Sequence, residues 1–346
     1  MKINAAVLYE SRSSLVIDEL EVPTLQRGQV LVKILFSGVC RSQLMEVRGL
    51  RGVDKWLPHL MGHEASGIVV ETGENVTKVK KGDRVILGWI KGTGIDAPGA
   101  KFKDSKGRII NSGGVTTFSN YSIVAENRVV KLESNIPDDV AVLFGCALPT
   151  GAGIVYNELL PKSHETFTII GLGGIGLSAL MALKEFNPEI LIAIDVSEEK
   201  LETAKQFGAT HTINAKQNDV KAQLEKIIPE GIDGCVESGG RISTIELGFS
   251  LLKKGGRLFF ASHPPEGQQI SIDPFELISG KKIFGSWGGG CNPDIDIPRL
   301  IKNYEVGVFP LETLIRKRYK LNQINEALND LENNLVFRPV IEMEHE

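Results

Sequence analysis

The side chains that could do chemistry stand far apart in this sequence of 346 residues. Cys40 lies in "GVCRSQLMEVRG" (38–49), beside Arg41 and Ser42. His63 and Glu64 lie in "MGHEASG" (61–67), and Cys146 lies in "FGCALPTGAG" (144–153). Thiolate and imidazole both suit Zn2+, and a catalytic zinc takes three protein ligands and keeps a fourth position open. Cys40, His63 and Cys146 would make such a Cys2His set, with two thiolates to offset the charge of the ion. Taken singly, each has a plainer reading. A free cysteine is usually a small buried hydrophobe, and a lone histidine is usually a satisfied core or surface residue. Cys40 could also be a nucleophile. No CxxC pair occurs among Cys40, Cys146, Cys235 and Cys291, so a zinc finger or ribbon is excluded by spacing. A disulfide framework is not expected in a long chain of cytoplasmic type.

A second chemical signal is local. "TIIGLGGIGLSAL" carries G-x-G-x-x-G as Gly171, Gly173 and Gly176, after an apolar strand and at the opening of an apolar helix. In that context the first glycine makes the tight turn, the second lets the backbone approach a pyrophosphate, and the third lets helix and strand pack closely. The phosphate charge then meets the free N–H groups of the helix N-terminus. Asp195 ends "ILIAID", 19 residues after Gly176, where a carboxylate can accept from the ribose hydroxyls and repel a 2′-phosphate. The sequence continues "DVSEEK" with no arginine immediately after, which favours NAD over NADP, and Lys200 is in reach of the same ribose. The plainer reading of Asp195 is a cap on the next helix.

These residues need elements to position them. Residues 1–140 read as β-rich, with "GQVLVKILFSGVC", "ASGIVVETG" and "GDRVILGWI" as β-branched runs bounded by glycine and charge. Residues 88–114 read as a long glycine-rich surface loop. From about residue 165 strands and helices alternate: "TFTII", "ILIAID", "HTIN", "GCVES", "GRLFFAS" and "KKIFGSW" as strands, with helical patterns between the first five. That alternation means βαβ units and a parallel sheet. Two helices at 296–307 and 321–334 and a strand at 337–343 break the alternation and are expected to pack back on the first domain. The fold class is therefore α/β, with more residues than one compact core usually holds.

Bulk composition narrows the partners. A net charge of −4 gives no electrostatic reason to expect nucleic acid or an anionic membrane. The most apolar stretch, "FTIIGLGGIGLSALMAL", is interrupted by small and polar residues and falls short of a membrane span. The N-terminus is not a signal peptide in pattern, and the chain reads as cytoplasmic.

The phrases "GVCRS", "GHEASGIVVETGENVTKVKKGDRV", "FGCALPTGAG", "GLGGIGLSALMALK", "AIDVSEEKLETAKQFGATHTIN" and "SIDPFELISGKK" occur in this order over nearly the whole chain. Together they resemble the zinc-dependent medium-chain alcohol dehydrogenases. The resemblance implies a GroES-like β-rich catalytic domain over 1–147, a Rossmann NAD-binding domain with a doubly wound, six-stranded parallel sheet over 148–288, and a return to the catalytic domain over 289–346. It implies Cys40, His63 and Cys146 as catalytic zinc ligands, with Glu64 as the acid behind the metal that can transiently coordinate it. Arg41 and Arg338, in "VFRPV", match arginines on the cofactor pyrophosphate. Ser42 matches the hydroxyl that takes the alcohol proton, Thr150 a threonine near the nicotinamide, and Trp89 an aromatic wall of the substrate pocket, with Trp56 a further aromatic candidate. The function implied is reversible hydride transfer between NAD and a small alcohol, polyol or sugar-derived alcohol, in a homodimer or tetramer.

Three departures carry weight. No cysteine occurs in 88–114, so the family's four-cysteine structural zinc is expected to be absent. Met45, five residues after Cys40, stands where related enzymes often carry a proton-relay histidine. Gln43 stands where an aspartate often orients the zinc histidine, and loss of such an outer carboxylate can cost roughly ten- to a hundredfold in metal affinity or activity. Two rivals compete with this reading. One is a zinc-free quinone or enoyl reductase on the same fold, which has no need of Cys40, His63 and Cys146. The other is a non-enzymatic NAD sensor, which has no need of the relay residues.

Overall fold

The computed structural model describes residues 1–345. It divides into two compact units: Met1–Cys146 with Asn292–Val306 and the chain from Pro310 onward, and Ala147–Cys291 with Gly307–Phe309.

In the first unit the chain runs β1 (Lys2–Leu8), β2 (Val16–Glu21), β3 (Gln29–Gly38), α1 (Arg41–Val47), β4 (His59–Leu60), β5 (Ala65–Thr72), β6 (Arg84–Leu87), β7 (Lys101–Lys103), β8 (Ile109–Asn111), β9 (Tyr121–Ala125), β10 (Val129–Lys131) and α2 (Asp138–Ala141). Strands β1, β2, β7, β8 and β4 close a barrel, and β10, β6, β5, β3 and β9 belong to a second, seven-stranded sheet. Side chains alternate across a strand, and here the alternation feeds two cores. Val30, Val32 and Ile34 of β3 enter one core with Val85 and Leu87, while Leu31 enters the other with Phe102 and Ile110. That two-sided burial explains why β3 reads as a continuous apolar run.

The stretch expected to be a long loop, 88–114, is corrected by the structure. It contains the antiparallel pair β7–β8, whose buried Phe102 and Ile110 fill the barrel. Three-residue strands with one buried side chain each leave too little periodicity to register in a sequence window.

The second unit runs α3 (Ala147–Gly153), β11 (Phe167–Ile170), α4 (Gly174–Lys184), β12 (Leu191–Asp195), α5 (Glu198–Gln206), β13 (His211–Asn214), α6 (Val220–Ile227), β14 (Ile232–Glu237), α7 (Ile242–Ser250), β15 (Leu252–Phe260), α8 (Pro274–Ile278) and β16 (Lys282–Gly285). Its sheet is six-stranded in the order β13-β12-β11-β14-β15-β16, with every pairing parallel. The order reverses beside β11, and ligands of such sheets bind in the crevice outside the strand ends at that point.

The chain then returns to the first unit with α9 (Pro293–Glu305), β17 (Arg318–Lys320), α10 (Ile324–Glu332) and β18 (Val340–Glu342). β18 pairs antiparallel with β3, and Tyr319, Leu328 and Ile341 join the core that holds Val32 and Val85. No single described helix is long and apolar enough to cross a membrane.

Candidate active site

Three segments of the first unit converge. Cys40 follows β3 and precedes the first turn of α1; His63 lies between β4 and β5; Cys146 follows the short turn Val142–Gly145. One ligand atom from each of Cys40, His63 and Cys146 lies within 4.8 Å of the others, and His63 Nε2 is 3.3 Å from the Cys146 sulfur. The two thiols share a hydrogen bond. It holds the Cys40 thiol well below its ordinary pKa and, together with burial, pushes the Cys146 thiol well above. Of the two thiols, Cys40 is therefore the first to ionise. Two sulfurs and a nitrogen in this spacing fit a borderline-soft ion such as Zn2+.

Behind them sits a fully buried pair. The Arg338 guanidinium donates to Glu64 Oε1, joining residues 274 apart in sequence. Burial pushes the Glu64 carboxyl pKa up, and Arg338 works against that shift. Burial also opposes the charge on Arg338, yet Glu64 and the two thiols raise its pKa well above the ordinary value. Glu64 Oε2 and Arg338 Nε have no hydrogen-bond partner. Two glycines make the space: a Cβ on Gly38 would meet the Glu64 carboxyl carbon at 2.6 Å, and one on Gly145 would meet Glu64 Cβ at 2.8 Å. The "GVC" and "FGC" words therefore put a glycine that Glu64 requires within two residues of each cysteine.

Gln43 holds the N-terminal turn of α1 to the site. Its Oε1 accepts the Cys40 N–H at 2.9 Å, and its Nε2 meets His63 Nδ1. An imidazole that gives its Nε2 lone pair to a metal carries its proton on Nδ1 and needs an acceptor there. An amide has one accepting and one donating end, so Gln43 cannot accept from Cys40 and His63 together. A carboxylate could. Met45 is buried in α1 and offers no relay.

In the second unit the three glycines separate cleanly by environment. Gly171 has φ +85°, a left-handed turn that suits glycine. A Cβ on Gly176 would collide with the Gly171 carbonyl, so helix–strand packing requires its absence. A Cβ on Gly173 meets nothing within 4 Å, which leaves open space beside the start of α4. That vacancy is where a pyrophosphate would come against the backbone. Asp195 Oδ2 accepts the Leu172 N–H at 2.7 Å, and its Oδ1 accepts from Val196 and Ser197. Asp195 thus ties the glycine turn to the residues before α5; it does not cap that helix, whose N-cap is Ser197.

Two family models match the chain: an alcohol dehydrogenase GroES-like domain over residues 26–134 and a zinc-binding dehydrogenase over residues 174–305. S-(hydroxymethyl)glutathione dehydrogenase of Synechocystis is 30% identical, covering 99% of this chain and 100% of its own. Alcohol dehydrogenase class-3 of Zea mays is 31% identical, covering 98% of this chain and 96% of its own. The crystal structure of benzyl alcohol dehydrogenase from Acinetobacter calcoaceticus superposes with a TM-score of 0.89 at 30% identity, covering 99% of this chain and 100% of that one. The chain belongs to the zinc-dependent medium-chain alcohol dehydrogenase family. It is an alcohol dehydrogenase that uses zinc and NAD(H) on small alcohol or carbonyl substrates.

The remaining predicted residues of this dehydrogenase fall as follows. Arg41 is exposed on the first turn of α1. Ser42 Oγ and Thr150 Oγ1, in their respective units, are buried without a hydrogen-bond partner. Lys200 is buried in α5. A cavity of about 570 Å³ in the first unit is lined by Gln43, Glu46, Trp56, His59 and His63 among others. Trp56 is on its wall and Trp89 is not. Three features of this dehydrogenase escaped the sequence reading: the Glu64–Arg338 pairing, the two glycines around Glu64, and the cavity with His59. Only the glycines left a local trace, each within two residues of a candidate ligand.

Proposed function

We propose that Cys40, His63 and Cys146 hold one zinc ion, that the Gly171–Gly176 turn holds NAD in preference to NADP, and that the enzyme reversibly oxidises a small alcohol, a polyol or a sugar-derived alcohol. The observation that carries this is the convergence of two thiols and an imidazole within 4.8 Å. When bound, zinc supplies Lewis acidity toward an alcohol oxygen and the nicotinamide accepts the hydride.

This chain's residues do the rest. Ser42, with its unengaged hydroxyl, receives the alcohol proton, which passes toward solvent without a histidine at Met45. Glu64 keeps a carboxylate behind the ligands for exchange, with Arg338 balancing its charge. Arg41 binds the cofactor phosphates, and Arg338, with five N–H donors, has donors left for the same phosphates. Asp195 and Lys200 face the adenosine ribose. Thr150 lies beside the nicotinamide, and Trp89 walls the substrate. Because 88–114 lacks cysteine, no four-thiolate zinc accompanies the first. The edge strand β16 and its surroundings expose Phe275, Ile278, Phe284 and Trp287, a surface that suits pairing of two chains into a homodimer, with a tetramer as the next assembly. The enzyme acts in the cytoplasm.

The test is nicotinamide absorbance across benzyl alcohol, S-(hydroxymethyl)glutathione, short alcohols, polyols and the matching carbonyls, with NAD and NADP. Turnover with NAD that is lost on chelation and restored by Zn2+ is expected. Full turnover after exhaustive chelation would overturn the zinc assignment.

A further inference from the structure

A second group of ligand-type side chains stands apart from Cys40, His63 and Cys146. Glu46 is in the last turn of α1, Asp54 in the loop that follows, and His59 in β4. One ligand atom from each lies within 4.8 Å of the others. None of the three is among the zinc ligands, cofactor contacts or proton relay assigned above.

Each of the three has its far polar atom tied outside the group, which turns its near atom inward. His59 Nδ1 is 2.8 Å from the Leu60 carbonyl. In the tautomer that donates Nδ1–H to this carbonyl, the Nε2 lone pair faces the group. Asp54 Oδ1 accepts the Trp56 N–H at 2.9 Å, and its Oδ2 lies 2.7 Å from His59 Nε2. Glu46 Oε2 lies 3.6 Å from Arg51, and its Oε1 lies 3.7 Å from His59 Nε2. That tautomer sets an Nε2 lone pair beside two carboxylate oxygens, the donor set of a metal site. A metal ion at the point of convergence would accept from all three. The His59 side chain is only 8% exposed and that of Asp54 14%, so bulk water screens the group poorly. Imidazole anchored through Nδ1 to a backbone carbonyl, beside carboxylates that are themselves anchored, is how metal ligands are held in place.

We propose that Glu46, Asp54 and His59 form a second divalent-cation site. Glu46 and His59 both line the cavity of about 570 Å³, so water can fill the remaining coordination positions. One nitrogen and two carboxylates suit Zn2+, Mn2+, Co2+ or Fe2+ rather than a thiolate-seeking ion. The ion joins the C-terminal end of α1 to β4. Cys40 and Gln43 sit at the opposite end of α1, and His63 follows β4 by three residues. The site is thus a clamp on two segments that carry the catalytic ligands, and it stands whether or not the thiolate site is filled.

The test loads metal-stripped, full-length protein with Co2+, removes free ion by gel filtration and counts cobalt per chain. Thiolate-bound cobalt has a near-ultraviolet charge-transfer band that an oxygen and nitrogen site lacks. Wild type is expected to hold two cobalt ions and show the band. Asp54→Asn and His59→Gln should each hold one and keep the band, and Cys146→Ser should hold one without it. Excess Co2+ should raise the Tm of Cys146→Ser and leave that of Cys146→Ser/Asp54→Asn unmoved. Asp54→Asn keeps the volume of the side chain in a loop, and far-ultraviolet circular dichroism with NAD binding checks its fold. Asp54→Asn and His59→Gln holding as many ions as wild type would overturn the proposal. A wild type with one band-bearing cobalt, unaffected by Asp54→Asn, would also overturn it and leave Asp54 and His59 as a hydrogen-bonded pair without a metal. One cobalt without the band, lost in Asp54→Asn, sustains the second site and overturns the thiolate site instead.

Discussion

The glycine turn of the second unit and the ligand set of the first are both sites, yet they are made in opposite ways. Gly171, Gly173 and Gly176 act through the backbone within six residues, and each role follows from what surrounds one α-carbon. Cys40, His63 and Cys146 act through side chains from three distant segments, and Glu64 behind them depends on Arg338 from the returning chain. A local site is specified by its own residues. A gathered site is specified by everything that packs it, including residues with no chemistry, such as Gly38 and Gly145.

Cys146→Ser strikes the gathered site alone. Losing the metal forfeits several kcal/mol of charge stabilisation, so kcat/KM should fall roughly ten-thousandfold, while NAD binding by fluorescence titration stays at the wild-type value. Loss of NAD binding as well would break the separation of the two sites.

Arg338→Met strips the counter-charge from Glu64. Removing one partner of a buried pair costs about 3–5 kcal/mol, and urea denaturation should show a loss of that size. Glu64→Gln combined with Arg338→Met should recover most of it; a double-variant loss equal to the sum of the two single losses would mean the pair is uncoupled.

Within the glycine turn, two variants sharpen the contrast. Gly176→Ala forces a collision with the Gly171 carbonyl, and overpacking of this kind costs about 1–3 kcal/mol of stability. Gly173→Ala meets no protein atom, so Tm should be unchanged while Kd for NAD rises. The reverse pattern would mean the open space serves packing.

Gln43→Glu puts an acceptor on both Cys40 N–H and His63 Nδ1. Zinc retention against a chelator should improve by about ten- to a hundredfold, with no change in NAD affinity. The smallest effect concerns Glu237, which closes β14. Burial raises its pKa above the ordinary 4.5, although its Oε1 accepts from Gly239, Gly240 and Thr244. The folded state therefore holds this proton more tightly than the unfolded one. Its stabilising contribution is complete below about pH 4.5 and is lost as pH rises through the folded pKa. Glu237→Gln should flatten that part of the stability–pH curve.

The parallel sheet and its glycine turn were legible because strand, turn and helix signals lie within short windows. The three candidate ligands were visible as residue types, but residue types do not say that segments 106 residues apart meet; the resemblance of ordered phrases supplied that expectation. The β7–β8 hairpin was illegible because each strand buries one residue. Arg338 was read as an arginine on the cofactor pyrophosphate and Glu64 as the acid behind the metal, but their pairing was invisible because β18 must first pair with β3. His59 drew no notice at all, since a histidine between apolar residues signals nothing until its two nitrogens have neighbours.

That pairing of β18 with β3 has a consequence in time. At about 5–20 residues per second, synthesis of the 274 residues between Glu64 and Arg338 takes roughly 14–55 s. Throughout that interval the nascent chain has made Cys40, His63 and then Cys146, but the arginine that neutralises the buried acid is still unmade. A metal ion that arrives early meets a half-balanced pocket, so the ribosome's order of work favours loading after the last strand has closed.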